Sequence, residues 1–152
     1  MAETDQPFDH PTNPTIMPTI ITEYQGHLRT EARHVASGNT LITDAPTDNH
    51  GRGEAFSPTD LTCASLGSCM MTIMGIVAER DGLDLAGTTF EITKTMAADP
   101  RRIGKVGVSF NMKSNMPIPE AQQEKLKRAA YTCPVALSLH PDIEQVVTFA
   151  FP

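Results

Sequence analysis

The chain contains three cysteines, Cys63, Cys69 and Cys133, and their thiols offer its most specific chemistry. A thiolate is a nucleophile and a metal ligand, and it can be oxidised to a sulfenic acid or a disulfide. An odd number of cysteines argues against a secreted disulfide framework, and none of their spacings resembles a zinc site. Cys63 and Cys69 lie on one predicted helix, about 120° apart around its axis, so they cannot form a local pair. We therefore assign Cys63 to core packing.

Cys69 lies in the middle of the most clearly predicted helix, which begins after Ser57 and ends at Arg80. Ser57 is a candidate N-cap, Pro58 suits the first helical position, and Asp60 places a carboxylate near the positive end of the helix dipole. Apolar side chains and the thiol then recur at three- and four-residue spacing, at Leu66, Cys69, Met70, Ile73, Ile76 and Val77. A thiol on this stripe is normally inert because burial raises its pKa, so a reactive Cys69 needs a nearby cation or hydrogen-bond donors.

Cys133 has a different local setting. It directly precedes Pro134, at the predicted N-cap of a short helix over 135–139. Backbone N–H groups and the helix dipole favour a thiolate at such a position. This setting therefore favours the Cys133 thiolate and suits Cys133 to a resolving role.

Strand patterns lie on both sides of the long helix. Period-two alternation and β-rich composition predict strands over 19–24, 28–36, 40–43, 88–96, 103–113 and 144–151. Turns are predicted at Gln25-Gly26 and at Asp99-Pro100, and Pro119 opens a polar helix over 120–130. Runs of strands around one long helix predict an α+β fold with two antiparallel sheets.

The long helix is apolar around most of its circumference, since Ile73, Met74, Ile76 and Val77 cannot share one narrow stripe. Covering it needs more sheet than one chain supplies. The pattern therefore favours an intertwined homodimer.

The 152 residues are 39% apolar and predict a single domain over 19–152, preceded by a flexible polar arm over 1–18. The first residues have neither a basic start nor an apolar block, so we expect no signal peptide and a cytoplasmic protein. We expect no segment of membrane-spanning length, and hence no membrane partner. The net charge of −6 argues against a nucleic-acid partner.

Three strings resemble the OsmC/Ohr family of thiol peroxidases, named after osmotically inducible protein C and organic hydroperoxide resistance protein. They are SPTDL at 57–61, ASLGSC at 64–69 and CPVA at 133–136. The similarity extends over roughly 20–151. It implies an OsmC-like fold and an obligate homodimer, with two six-stranded sheets wrapped around two central helices and active sites at the subunit interface. It also implies that no metal or bound cofactor is used.

The resemblance assigns the two motif cysteines to one reaction. Cys69 attacks the organic hydroperoxide, and Cys133 resolves the product. A thiolate that takes the distal oxygen becomes a sulfenic acid, with which a second thiol condenses to a disulfide before further oxidation. The reductant implied by the family is a dithiol of the lipoyl type.

An arginine near the first hairpin stabilises the thiolate in the family. Arg29 is the best match, Arg33 is the alternative, and Glu54 is the candidate acid that holds this arginine. In hydroperoxide-resistance members an acidic residue directly follows the helix-opening proline, whereas Thr59 stands there in this chain and the acid comes one position later, at Asp60. These departures predict a divergent OsmC-like branch.

Two other functions stay open at this point. The first is a non-enzymatic module that binds a lipid-like ligand in an apolar interface pocket, with an incidental thiol. The second is a cysteine hydrolase, for which His34, His50 and His140 are the available bases, although their spacing forms no ligand or catalytic motif. A peroxide-dependent Cys69–Cys133 disulfide separates the peroxidase from the binding module, and an acyl-enzyme on Cys69 would indicate the hydrolase.

Overall fold

The computed structural model describes residues 16–152, which fall into two compact units divided after Ala55. Unit 1 ends at Ala55, and unit 2 covers Phe56–Pro152. Most of the predicted flexible arm, 1–15, lies outside the described residues, and 16–18 are exposed. A single domain over 19–152 stays a prediction.

Unit 1 contains a three-stranded antiparallel sheet in the order β1-β2-β3. Its strands are β1 (Ile20–Gly26), β2 (Arg29–His34) and β3 (Thr40–Asp44), followed by a 3₁₀ turn, Thr47–Asn49. The predicted turn at Gln25-Gly26 is wrong. The chain reverses at His27 and Leu28, which have φ values of 49° and 62°, and a bulge before Gly26 carries β1 two residues further. Two-residue hairpin loops favour positive φ because it matches the twist of the strands.

Unit 2 contains three helices and a second three-stranded sheet in the order β4-β5-β6. Its elements are α1 (Pro58–Arg80), β4 (Thr89–Ala97), β5 (Arg102–Asn111), α2 (Glu120–Ala130), α3 (Pro134–Ser138) and β6 (Glu144–Ala150). The predicted α+β class and the central helix are confirmed. The predicted antiparallel pairing is wrong for β6, which runs parallel to β5. Because α2 and α3 lie between these strands in the chain, they form the long crossover that parallel pairing requires.

Helix α1 begins with a reciprocal cap, as its sequence predicts. The Asp60 N–H donates to Ser57 Oγ at 3.1 Å, and the Ser57 N–H donates to Asp60 Oδ2 at 2.9 Å. Pro58 occupies the first helical position, where its missing N–H leaves no acceptor unpaired. The local signals that start α1 therefore lie within four consecutive residues.

One face of α1 forms the core of unit 2. Its buried residues are Cys63, Leu66, Gly67, Met70, Met74 and Ala78. Burial of a side chain such as Leu66 or Met70 stabilises the fold by about 1.5–3 kcal/mol. Gly67 allows close approach to β4, because a Cβ there would lie 2.8 Å from Ile92 Cδ1 and 3.0 Å from Phe90 Cε2. The position of α1 on the sheet therefore depends on the absence of a side chain at Gly67.

The expectation that no segment has membrane-spanning length and composition is wrong for α1. The helix is long and apolar enough to cross a membrane by these criteria. In the structure it packs against α2, α3 and β4. One face of α1 is buried in the core of unit 2, which accounts for part of its apolar composition.

Two glycines of α1 provide a matched test of this packing. Gly75→Ala should raise the free energy of unfolding by about 0.5–1 kcal/mol, since alanine has the higher helix propensity and no atom lies within 4 Å of the new Cβ. Gly67→Ala should give a value lower than Gly75→Ala by at least about 1 kcal/mol, because its Cβ overlaps the side chains of β4. Urea unfolding at fixed protein concentration measures both. Equal effects would contradict the close approach.

Candidate thiol active site

Cys69 and Cys133 are brought together within unit 2. Cys69 is half-buried on α1, and Cys133 is fully buried at the N-cap of α3. Helices α1 and α3 pack against each other, and Cys69 is near enough to raise the pKa of Cys133. Both are free cysteines in this structure. The two motif cysteines, which are far apart in sequence, therefore form a thiol pair in space.

The backbone groups at the N-cap favour the Cys133 thiolate as predicted, but the overall pKa shift is in the opposite direction. Burial raises the pKa of Cys133 above its ordinary value, and the hydrogen bond and charge interaction with Cys69 raise it further. The Ala136 N–H, which donates to Cys133 Sγ at 3.3 Å, and the backbone of Val135 lower this pKa, but burial outweighs them. Because α3 has only five residues, its end offers few donors against that burial. Cys133 therefore holds its proton beside Cys69.

Cys63 is separated from this pair. It is 2% exposed, in agreement with its assignment to packing. Burial raises the pKa of Cys63, which the charge of Lys94 lowers and that of Asp60 raises. Its side chain lines a small cavity of about 270 Å³ together with Phe56 and Ile92. A thiol that is protonated and buried in this way is a poor nucleophile.

Lys94 is a residue that the sequence reasoning missed. From β4 its Nζ donates to three acceptors at the start of α1: Asp60 Oδ1 at 2.6 Å, Thr59 Oγ1 at 2.9 Å and Ser57 Oγ at 3.3 Å. Burial alone would raise the pKa of Asp60, but the bonds from Lys94 and Ser57 lower it overall. The acid found one position later than in the family pattern thus has a defined role, because it caps α1 and pairs with β4. The signal that could have identified it is its position on β4, where a lysine stands among the alternate residues that are half-buried.

In unit 1, Arg29 is held by two carboxylates. Its Nε and Nη2 donate to Asp44 Oδ1 and Oδ2, both at 2.8 Å, and Nη2 also donates to Glu54 Oε2 at 2.8 Å. The predicted Glu54–Arg29 contact is therefore present, whereas the alternative, Arg33, is exposed on β2. Asp44 was missed, although it lies directly opposite Arg29 in the β2–β3 register.

Asp44 is the central acceptor of this cluster. It is fully buried, and it accepts a further bond from the Glu54 N–H at 3.1 Å. The Arg29 guanidinium lowers the pKa of Asp44, and Asp44 in turn raises that of Arg29. A bidentate arginine–carboxylate pair has fixed geometry. The arrangement therefore fixes the Arg29 side chain in one orientation.

A metal centre and the Cys–His pair of a hydrolase are the two other kinds of site to consider. Within 16–152, no group of three or more His, Cys, Asp or Glu side chains is arranged to hold a metal ion. Unit 2, which is described throughout, contains one histidine, His140. His140 lines a cavity that neither Cys69 nor Cys133 lines, and its Nδ1 accepts a bond from the Asp142 N–H. Unit 2 by itself therefore supplies no Cys–His pair for a hydrolase.

Fold and site together define an α+β protein with a thiol pair between a long central helix and a short one. The family model described as OsmC-like protein matches residues 51–147. The chain belongs to the OsmC-like protein family. No curated protein sequence matches it.

Solved structures agree with this assignment. A Psychrobacter arcticus 273-4 protein, provisionally described as an osmotic stress induced and detoxification response protein, is 52% identical, with a TM-score of 0.84 over 88% of this chain and 96% of its own. An organic hydroperoxide resistance protein OsmC from Legionella pneumophila is 18% identical, with a TM-score of 0.65 over 89% and 98%. The organic hydroperoxide resistance protein OhrB of Bacillus subtilis is 14% identical, with a TM-score of 0.62 over 89% and 98%. The last two show that the fold is shared.

The buried carboxylate of unit 1 leads to a pH-dependent prediction. Since folding lowers the pKa of Asp44, its ion pair stabilises the protein above the ordinary carboxyl pKa, and this contribution is lost as the pH falls through the folded-state value. Asp44→Asn should therefore lower the unfolding midpoint at pH 7, and the difference from wild type should shrink below about pH 4. Glu54→Gln is the control and should have the smaller effect, because the Glu54 side chain is 66% exposed.

Tyrosine fluorescence during urea unfolding measures this effect. The chain has no tryptophan and two tyrosines, Tyr24 in unit 1 and Tyr131 in unit 2. A Tyr131→Phe background therefore reports on unit 1. A loss that is the same at pH 7 and pH 3, or that is larger for Glu54→Gln, would contradict the prediction.

Proposed function

We propose that the protein is a thiol-dependent peroxidase that reduces organic hydroperoxides. The observation that carries the proposal is the proximity of Cys69 to the buried Cys133, on two helices that pack against each other. Family membership and the fold shared with organic hydroperoxide resistance proteins support it. On this proposal, peroxide reaches the partly exposed Cys69 thiol, and the buried Cys133 thiol reacts with the product.

The first chemical step consumes the hydroperoxide. The Cys69 thiolate attacks the distal oxygen, an S–O bond forms, the O–O bond breaks, and the peroxide leaves as an alkoxide. The alkoxide needs a proton to become the alcohol. Cys133 holds a proton beside Cys69 and can donate it. This transfer leaves a sulfenic acid on Cys69 and a thiolate on Cys133.

The second step closes the disulfide. The Cys133 thiolate attacks the sulfenic sulfur, the S–O bond breaks, and hydroxide leaves as water after it takes up a proton. An external dithiol then reduces the disulfide by exchange and becomes oxidised itself. On the family resemblance we propose a lipoyl-type dithiol for this role, acting in the cytoplasm without metal or bound cofactor. The assignment of Arg29 and Glu54 to the thiol chemistry stays a prediction from the same resemblance.

Single-turnover reactions with cumene hydroperoxide test the proposal. Cys69→Ser should consume no hydroperoxide, because it lacks the attacking thiolate. Cys133→Ser should consume about one equivalent and stop, and with excess peroxide its Cys69 should gain two oxygens as sulfinic acid. Wild type should instead form a Cys69–Cys133 disulfide, visible by peptide mapping. Cys63→Ala is the control and should turn over within a few-fold of wild type.

Two results would overturn the peroxidase proposal. They are peroxide consumption by Cys69→Ser and the absence of a Cys69–Cys133 crosslink in oxidised wild type. Either result would favour the binding module, in which the thiol pair is incidental. An acyl-enzyme on Cys69 after incubation with activated esters would favour the hydrolase instead.

We also propose that the protein is a homodimer. Unit 1 exposes large apolar side chains at adjacent positions, which lie on opposite faces of a strand: Ile20, Ile21, Leu41 and Ile42. Ile76 of α1 is also 42% exposed. Apolar surface on both faces of one sheet is typical of a protein that buries it against another chain.

Sedimentation measures the assembly directly. At micromolar concentration the chain should sediment as a dimer that dissociates only on unfolding, so its unfolding midpoint should rise with protein concentration. A folded 16.5 kDa monomer would refute the homodimer.

A further inference from the structure

Unit 2 contains an open cavity of about 580 Å³ that neither thiol of the pair lines. Three segments form it: the first turn of α1, the turn that enters β5, and the loop between α3 and β6. The parallel register of β5 and β6 begins at the pair Lys105 and Glu144, so the residues that precede this pair on the two segments lie side by side. The volume lies in the range of small-molecule sites.

The cavity has two cationic or donor side chains, Arg102 and His140. The Arg102 guanidinium faces Asp142 at 3.8 Å, which is too long for a hydrogen bond, so its N–H groups have capacity for a closer acceptor. His140 Nδ1 accepts the Asp142 N–H at 3.1 Å. This bond assigns the ring proton to Nε2, which is then a donor.

The remaining lining is apolar. Ile103 is 8% exposed, Ile143 is half-buried, and Pro100 completes the wall. Contact between this surface and the methylene groups of a ligand lowers the free energy, whereas a second charged group on the ligand would find no partner there. The cavity thus combines an apolar wall with donors at its rim.

The unused N–H donors at the rim favour an anion. Asp142 is the one carboxylate in the lining, and it faces the Arg102 guanidinium at 3.8 Å, which leaves N–H groups of Arg102 and His140 Nε2–H for a further acceptor. Among the neighbouring charges, Asp60 pairs with Lys94 and Lys105 with Glu144.

We propose that this cavity binds a monocarboxylate with a linear apolar chain. The carboxylate accepts bonds from the Arg102 guanidinium and from His140 Nε2–H, and the chain lies against Ile103 and Ile143. An arginine fork matches a carboxylate in shape as well as charge. The site is separate from the thiol pair, and the proposal does not depend on the peroxidase reaction.

Titration with octanoate, followed by amide chemical shifts, tests the proposal. Octanoate should bind saturably at up to millimolar concentration, with the largest shifts at 100–103 and 140–143. Hexanoate should bind about tenfold more weakly, because it lacks two methylenes. Arg102→Gln should weaken octanoate about tenfold or more. Lys105→Gln is the matched control, since it removes one positive charge from the same strand outside this cavity, and it should leave binding unchanged.

Two further variants separate the charge from the apolar wall. Asp142→Asn should strengthen octanoate several-fold, because it removes the competing carboxylate from Arg102. Ile143→Ala should reduce the difference between octanoate and hexanoate. Cys69→Ser should bind octanoate as wild type does, whether or not it has lost peroxidase activity.

Several outcomes would overturn the proposal. They are no saturable binding at millimolar octanoate, tighter binding of octylammonium than of octanoate, largest shifts near Cys69, or an equal loss in Arg102→Gln and Lys105→Gln. The last result would show general attraction to the positive charge of the strand and no built site.

Discussion

The close contact between α1 and β4 is the constraint on which unit 2 depends. Gly67 lets the helix approach Ile92 and Phe90, and Lys94 ties the same strand to the first turn of the helix. One contact is apolar and the other ionic, and they lie about two turns apart on α1. Together they fix both the distance of α1 from β4 and the direction of its axis. Cys69 lies two residues beyond Gly67, so its position follows from theirs.

The thiol pair shows how burial and backbone donors compete for one proton. A helix N-cap favours a thiolate, and α3 does donate the Ala136 N–H to Cys133. Complete burial nevertheless raises the pKa, and a neighbouring thiol adds to the effect. The result is a division of labour between an accessible thiol and a proton-holding one. In the proposed peroxidase reaction, this pair would pass a proton and an electron pair without a histidine.

Local signals in the sequence account for most of the secondary structure. Proline positions and capping residues define where α1, α2 and α3 begin, because these signals act within four residues of each helix start. Alternation locates the six strands found within residues 16–152. The motif strings identify the two thiols that meet. The helix starts, the strand positions and the two thiols that meet could therefore largely be predicted from local sequence patterns.

The features that sequence reasoning missed arise from pairing across the chain. The parallel β5–β6 pairing follows from the path of α2 and α3, and the Arg29–Asp44 pair follows from the β2–β3 register. The pKa of Cys133 depends on burial by residues that its own segment does not contain. The sequence does show Lys94 as a cation among the half-buried positions of β4. Its partners could not be identified from the local pattern, because they are more than thirty residues away.

The two-faced sheet of unit 1 has a consequence for synthesis of the chain. Strands β1 and β3 are the outer strands of that sheet, and each carries adjacent apolar residues, Ile20-Ile21 and Leu41-Ile42. Outer strands with unpaired backbone groups are templates for edge-to-edge aggregation. Unit 1 leaves the ribosome first, before the helix and sheet of unit 2 exist. Until unit 2 has been synthesised, the outer strands of unit 1 are therefore open to aggregation with other new chains. A chaperone that shields β1 and β3 would raise the yield of folded protein.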